Sequence, residues 1–333
     1  MIETIWLKLF SPSKAFDHPV TLWLMVALGA VLLLTPLVVE LLRKTGRIDE
    51  GLRKELHRRL LSWLVLVPAM ALPLLLGPGC TILAITILSL LCYREFARAT
   101  GFFRNRAISA TVVVAMLALT FATYDHWYNF FVAIPSLAIA LIVIVALFKD
   151  EPQGYLQRTS LGVLSFLLFG LCFGHLAYMA NDHDYRPIML ILILCVEMND
   201  VFAYITGKTF GSRKLAPNTS PGKTMGGAIG GLILTTALFA LLGHWVFLGE
   251  ALDSPVHLIA MGIIISLGGM CGDLVISSIK RDLGIKDMGT LLPGHGGLLD
   301  RFDSLMLVSP AIFHYVGYFQ GWGLDQPERI LTG

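Results

Sequence analysis

Charge is scarce in this sequence: Asp, Glu, Lys and Arg make up only 14% of its 333 residues, against about 25% in an ordinary soluble domain. With 56% of the chain apolar and a mean hydropathy of +0.73, too few polar side chains exist to cover a water-facing surface. A net charge of +2, without a basic arm or an acidic tail, is too small to suggest a nucleic-acid partner, and none is expected. Only five cysteines occur (Cys80, Cys92, Cys172, Cys195 and Cys271), none in a CxxC spacing. They read as small buried hydrophobes rather than metal ligands or disulfides. Internal repeats, low-complexity tracts and interdomain linkers are missing too, so one membrane domain is expected, with N-terminal helices over 1–190 and a C-terminal part over 191–333. The first 19 residues hold Glu3, Lys8, Lys14 and Asp17 and no clean apolar core. A removable signal peptide is therefore not expected, and the first spanning helix serves as its own insertion signal.

What the chain does have is long apolar runs. They are continuous rather than alternating, which selects helices over a barrel, the only other way to satisfy backbone hydrogen bonds in hydrocarbon. Ten spans are expected near 20–42, 60–77, 79–95, 107–124, 127–148, 159–180, 187–208, 225–248, 256–280 and 304–320. The fold class is thus all-α, a polytopic transmembrane bundle of nine to ten spans. The second and third runs are separated only by Gly77-Pro78-Gly79, a turn signal that leaves two spans or one re-entrant hairpin open. Alternate loops carry the basic residues: seven in 43–59, four in 94–106, two in 149–158, four in 208–223 and four in 280–301. Lys8, Lys14, Arg186 and Arg329 fall on the other side. This bias favours ten spans with those basic loops cytoplasmic, and the short chain points to a bacterial plasma membrane.

Two helices carry ionisable groups that a membrane admits only for a reason. In the seventh, Glu197, Asp200, Tyr204 and Lys208 recur at helical spacing; in the ninth, Asp273, Ser277 and the pair Lys280/Arg281 do so. An interhelix polar clamp would account for Glu197 alone. Asp273 differs, because its polar stripe continues into the 277–303 loop. There Asp273, Asp287, Asp300 and Asp303 are hard oxygen ligands suited to Mg²⁺. Lys280, Arg281, Lys286 and Arg301 offer positive charge to phosphate oxygens. Pro293-Gly-His295-Gly-Gly297 lets backbone approach a ligand around one titratable side chain. Carboxylates, cations and glycines at a membrane boundary suit phosphoryl or nucleotidyl transfer. The 207–224 loop adds Lys208, Arg213, Lys214 and Lys223 on the same face. Its Gly222-Lys223-Thr224 is not a P-loop, since Pro217 stands where that motif needs glycine and no strand precedes it.

The string Ser277-x-Ile-Lys-Arg-x4-Lys286-Asp-x-Gly289-x2-Leu292-Pro-x-His295-Gly-Gly-Leu-x-Asp300-Arg-Phe-Asp303 resembles the signature of the phosphatidate cytidylyltransferase (CDP-diacylglycerol synthase) family. Residues 200–224 resemble a second block of that family. The resemblance implies that CTP and phosphatidic acid are converted to CDP-diacylglycerol and pyrophosphate within membrane lipid, with Mg²⁺ as cofactor and K⁺ as a candidate second cation. It implies a metal centre of Asp273, Asp300 and Asp303 assisted by Asp287. Lys280, Arg281, Lys286, Asp287, His295 and Arg301 would take catalytic roles, and Asp200, Tyr204, Lys208, Ser220, Lys223 and Ser277 substrate-binding ones. Homodimerisation stays open. One departure stands out: Gly226 replaces the family's usual glutamate. That departure keeps a paralogue acting on another phosphorylated lipid in view. Intramembrane carboxylates keep a transporter in view as well. The DGxxAR string of a CDP-alcohol phosphotransferase is absent.

Overall fold

The computed structural model describes residues 5–6, 10–289, 296–321 and 329–332. Ten long helices run through them: α1 (Pro19–Lys44), α2 (Glu50–Leu76), α3 (Pro78–Ala99), α4 (Arg106–Tyr124), α5 (Tyr128–Leu147), α6 (Tyr155–Met179), α7 (Tyr185–Phe210), α8 (Met225–Val246), α9 (Pro255–Asp282) and α10 (Leu299–Gln320). Among the described residues the first nine are long and apolar enough to cross a membrane. α10 has 22 residues, about 33 Å at 1.5 Å per residue, which also matches a bilayer. It packs into the bundle and buries Phe302, Leu305, Val308, Ile312 and Phe313.

The Gly77 turn joins two complete helices, not a re-entrant pair. Pro78 has no N–H, so the Leu74 carbonyl loses its helical donor. The Tyr185 hydroxyl (2.9 Å) and Arg186 Nε (3.0 Å) donate to it instead. A buried carbonyl needs such a replacement. The expected loop at 43–59 is mostly helix. α1 continues to Lys44 and α2 starts at Glu50, capped by Asp49. Their basic residues pair along the helix surface, as in Arg43–Glu40, Arg53–Glu50 and Arg59–Glu55.

In α6 a π-helical stretch, Phe166–Leu171, lets the Ser89 hydroxyl donate to the Phe169 carbonyl at 2.6 Å. α7 and α8 approach closely through small residues: a Cβ on Gly227 would lie 2.6 Å from the Ala203 carbonyl oxygen. Between them sits an unexpected antiparallel hairpin, β1 (Lys214–Ala216) and β2 (Ser220–Thr224), with Lys214 opposite Thr224 and Ala216 opposite Ser220. Gly222-Lys223-Thr224 lies in β2, and the Thr224 hydroxyl then caps α8 by accepting from Gly227 N–H. Arg281 of α9 bonds the Thr219 carbonyl, and Glu95 of α3 bonds the Leu298 and Leu299 N–H groups, so the hairpin, the α3–α4 turn and the α9–α10 connection fall at one end of the bundle. At the opposite end, buried Asp125 accepts from the Ile330, Leu331 and Thr332 N–H groups and holds the C-terminal residues.

Candidate functional site

A cavity of about 550 Å³ opens between α7, α8, α9 and the hairpin. Asp200, Tyr204 and Lys208 line it from α7, Ser220 and Lys223 from β2, and Asp273 from α9. These six were singled out from the sequence, and the fold brings them together. The α7 stripe nevertheless divides: Glu197 faces a different cavity, between α1, α2 and α7.

Two lysine–carboxylate pairs organise the polar groups. Lys223 Nζ lies 2.5 Å from Asp273 Oδ2, and the Ser277 hydroxyl, one turn along α9, donates to Asp273 Oδ1 at 3.0 Å. Lys280 Nζ lies 2.8 Å from Asp300 Oδ1. The second pair is well sequestered, with side-chain exposures of 12% and 7%. Neither charge would tolerate that burial alone. The other Asp300 oxygen accepts from Met288 N–H (2.9 Å) and Gly297 N–H (3.0 Å), so one carboxylate ties both sides of the α9–α10 connection. Asp303 is buried and accepts from its neighbour Ser304 N–H, while sharing an electrostatic field with Asp273, Asp200 and Lys280. Arg301 acts electrostatically on both Glu197 and Asp200. Arg281 reaches across to the hairpin, Nε donating to the Thr219 carbonyl at 3.2 Å. Lys286 and Asp287 are exposed, Asp287 beside Gly296 and Asp300. His295 lies outside the described residues.

Among the described residues no three Asp, Glu, His or Cys side chains converge as a metal-binding group. The three carboxylates expected to hold metal are each engaged: Asp273 by Lys223 and Ser277, Asp300 by Lys280 and two N–H groups, Asp303 by Ser304. The donor set still fits Mg²⁺, which takes one or two carboxylates and completes its octahedron with water and substrate phosphates.

Two further residues build the site without having been singled out. Glu95, buried near the end of α3, accepts from Leu298 N–H (3.0 Å) and Leu299 N–H (2.8 Å). Its carboxylate thereby caps the exposed donors that begin α10, the helix carrying Asp300 and Asp303. An acidic residue closing an apolar run was its only signal, and the neighbouring Arg94 and Arg98 made it read as part of a charged loop. Asn199, between Glu197 and Asp200, is buried, and its Oδ1 accepts from Thr235 of α8 (3.1 Å) and Ser266 of α9 (2.6 Å). One amide thus keys together the three helices that wall the cavity. Gly226, the departure from the family pattern, has a packing reason: a Cβ there would lie 2.9 Å from the Phe210 carbonyl oxygen and 3.1 Å from Gly211 Cα.

A profile of the cytidylyltransferase family matches residues 57–319, most of the chain. This chain belongs to the cytidylyltransferase family. Among its relatives is YnbB of Escherichia coli (strain K12), itself described as uncharacterized, 30% identical over 300 residues that span 88% of this chain and 97% of that protein. A phosphatidate cytidylyltransferase of Bacillus subtilis (strain 168) is 31% identical over 229 residues, 64% of this chain and 81% of the relative. Another, from Staphylococcus saprophyticus, is 34% identical over 208 residues, 55% of this chain and 79% of the relative. Membership in the cytidylyltransferase family, with nine membrane-length helices among the described residues, supports an integral membrane nucleotidyltransferase.

Proposed function

We propose that this cytidylyltransferase converts CTP and phosphatidic acid to CDP-diacylglycerol and pyrophosphate. The observation that carries the reading is the convergence of Asp200, Ser220, Lys223 and Asp273 on one cavity at the bundle end that also holds Lys280 and Asp300. The names of the Bacillus and Staphylococcus relatives support the same acceptor. In the reaction a phosphate oxygen of the lipid bonds to the α-phosphorus of CTP while the α–β bridging P–O bond breaks, and pyrophosphate leaves with that electron pair.

Asp273, with its neighbours Asp200 and Asp303, would hold Mg²⁺, which would supply neutralisation of phosphate charge. Lys223 sits on Asp273 at rest and turns to phosphate oxygens when the nucleotide enters, while Lys280 stays on Asp300 and adds its charge to the site. Arg281 and Lys286 add positive charge toward the leaving pyrophosphate, and Arg301 toward the incoming lipid phosphate. Asp300 acts by holding Lys280 and the Met288 and Gly297 N–H groups in place. A membrane of bacterial type, with this end of the bundle in the cytoplasm where CTP is found, agrees with the distribution of Lys and Arg.

A second acceptor, another phosphorylated lipid, is favoured by one observation: Gly226 leaves no room for the side chain the family usually carries there. The test is transfer of radiolabel from α-labelled CTP into the lipid phase with Mg²⁺, using purified protein and its Asp300→Asn variant. Label from phosphatidic acid that disappears in the variant is the expected result. Folded, CTP-binding protein that labels only other phosphorylated lipids would overturn the phosphatidate assignment, and chelation by EDTA that leaves transfer intact would overturn the role of the metal.

A further inference from the structure

Protein interiors rarely leave voids larger than a water molecule, yet two large apolar cavities flank another face of α7. The first, about 490 Å³, lies between α1, α2 and α7 and is walled by side chains such as Leu28, Val31, Trp63 and Leu194. Toward the catalytic loops its lining includes Arg59 of α2 and Glu197 of α7. The second, about 290 Å³, lies among α2, α3, α7 and α10, with Ala84, Leu88, Leu298 and Phe302 in its wall. Met70, Leu74 and Ile193 line both, so the two cavities are adjacent and share a partition.

Their inner ends converge on the same chemistry. Phe302 of the second cavity follows Arg301 in α10, and Arg301 acts on Glu197, which borders the first, and on Asp200 of the catalytic cavity. α1, the outer wall of the first cavity, buries few of its residues against the rest of the bundle, which leaves that cavity next to lipid.

We propose that these two cavities seat the two acyl chains of the lipid acceptor, one chain on each side of the Met70–Leu74–Ile193 partition, with the lipid phosphate drawn toward Arg59 and Arg301. The pairing of two apolar slots with cations at one shared end matches a diacyl phosphate monoester in both shape and charge. It also separates the substrates: nucleotide enters between α7, α8 and α9, and lipid reaches the same carboxylates from the α1–α2 side. This inference rests on the proposed use of a phosphorylated diacyl lipid and adds where that lipid is held and what selects its chain length.

The test fills each cavity from a wall position outside the catalytic machinery, with Ala27→Phe in the first and Ala84→Phe in the second. Wild type and variants are assayed with dioleoyl and dihexanoyl phosphatidic acid. They are also photolabelled with phosphatidic acid bearing a diazirine at the acyl terminus, and the labelled peptides are mapped. Label is expected within 24–28, 67–74 and 81–85, the ends of the cavities away from Arg59 and Arg301, and each variant should lose it from its own cavity. KM for the dioleoyl substrate should rise about tenfold, the usual scale of overpacking a filled site, with CTP KM and dihexanoyl turnover unchanged. Equal effects on both chain lengths would overturn the proposal. So would label in the cavities with an unchanged dioleoyl KM, which would mark a resident structural lipid. Label in the cavities of a protein that transfers nothing to phosphatidic acid would support the seat and remove only the proposed acceptor.

Discussion

Replacing Glu95 by glutamine exchanges a single oxygen for an amide nitrogen in a buried side chain, and the hydrogen-bond geometry sets the cost. Glu95 Oε1 receives Leu298 N–H at 3.0 Å and Oε2 receives Leu299 N–H at 2.8 Å. Bonds to a charged acceptor contribute about 1.5–3 kcal/mol each. Glutamine keeps one acceptor, now neutral, and turns an NH₂ donor against the other N–H. The start of α10 should therefore open more easily by about 2–4 kcal/mol. At 1.4 kcal/mol per factor of ten, this is roughly a 30- to 1,000-fold loss of protection. Hydrogen exchange of the Leu298 and Leu299 amides, read by mass spectrometry on protein in detergent, measures it directly. CTP-dependent lipid labelling should fall with it, because Asp300 and Asp303 sit in the first turn and a half of the loosened helix. Unchanged exchange in a folded Glu95→Gln protein would refute the assignment of Glu95 as the cap of α10.

Restoring the family's residue with Gly226→Glu should lower thermal stability rather than raise activity, since its Cβ would press on the Phe210–Gly211 backbone at about 3 Å. Overpacking of that kind costs about 1–3 kcal/mol, and a variant as stable as wild type would show that α7 and α8 can part there. Lys280→Ala should reduce turnover by more than tenfold and destabilise the α9–α10 connection, because it strands the sequestered Asp300; the double change Lys280→Ala with Asp300→Asn should recover folding without recovering activity. Asp125 concerns the opposite end. Burial alone would raise its pKa, but the Thr332 hydroxyl and three backbone N–H groups bring it below the ordinary aspartate value. A lowered pKa stabilises the fold above the unfolded aspartate value, about 3.9, and that stabilisation is lost as pH falls through the lower folded value. Limited proteolysis of the C-terminal residues should therefore stay slow down to about pH 4 and accelerate below it, whereas Asp125→Asn should be cleaved quickly even at neutral pH.

The helices were readable because hydrocarbon leaves a chain so few options: every apolar run of membrane length became a helix. Even the ambiguous 60–95 stretch resolved into two spans, through a turn its Gly77-Pro78 pair announced. The charges were readable as residues but not as pairs. Lys223 and Asp273 are 50 positions apart, and only the return of the 211–224 hairpin onto α9 makes them partners. The hairpin itself hid behind Pro217 and Pro221, which a reading of helices treats as breakers. Glu197 was placed on one stripe with Asp200, but a three-residue offset leaves enough angular difference for the two to serve different cavities. Glu95 escaped because what makes it part of the site is a helix more than 200 residues later, and no local pattern encodes that.

The cap from α3 to α10 also bears on how such a protein can be taken apart and recombined. The recognisable signature lies in the last third of the chain, which invites grafting it onto the helices of another member. Yet the opening turn of that third's last helix is closed by a side chain at position 95, and Ile193 of α7 partitions two cavities with Met70 and Leu74 of α2. A working chimera must therefore inherit position 95 and the backbone at 298–299 from the same parent. Drift at one is free only as far as the other can accommodate it.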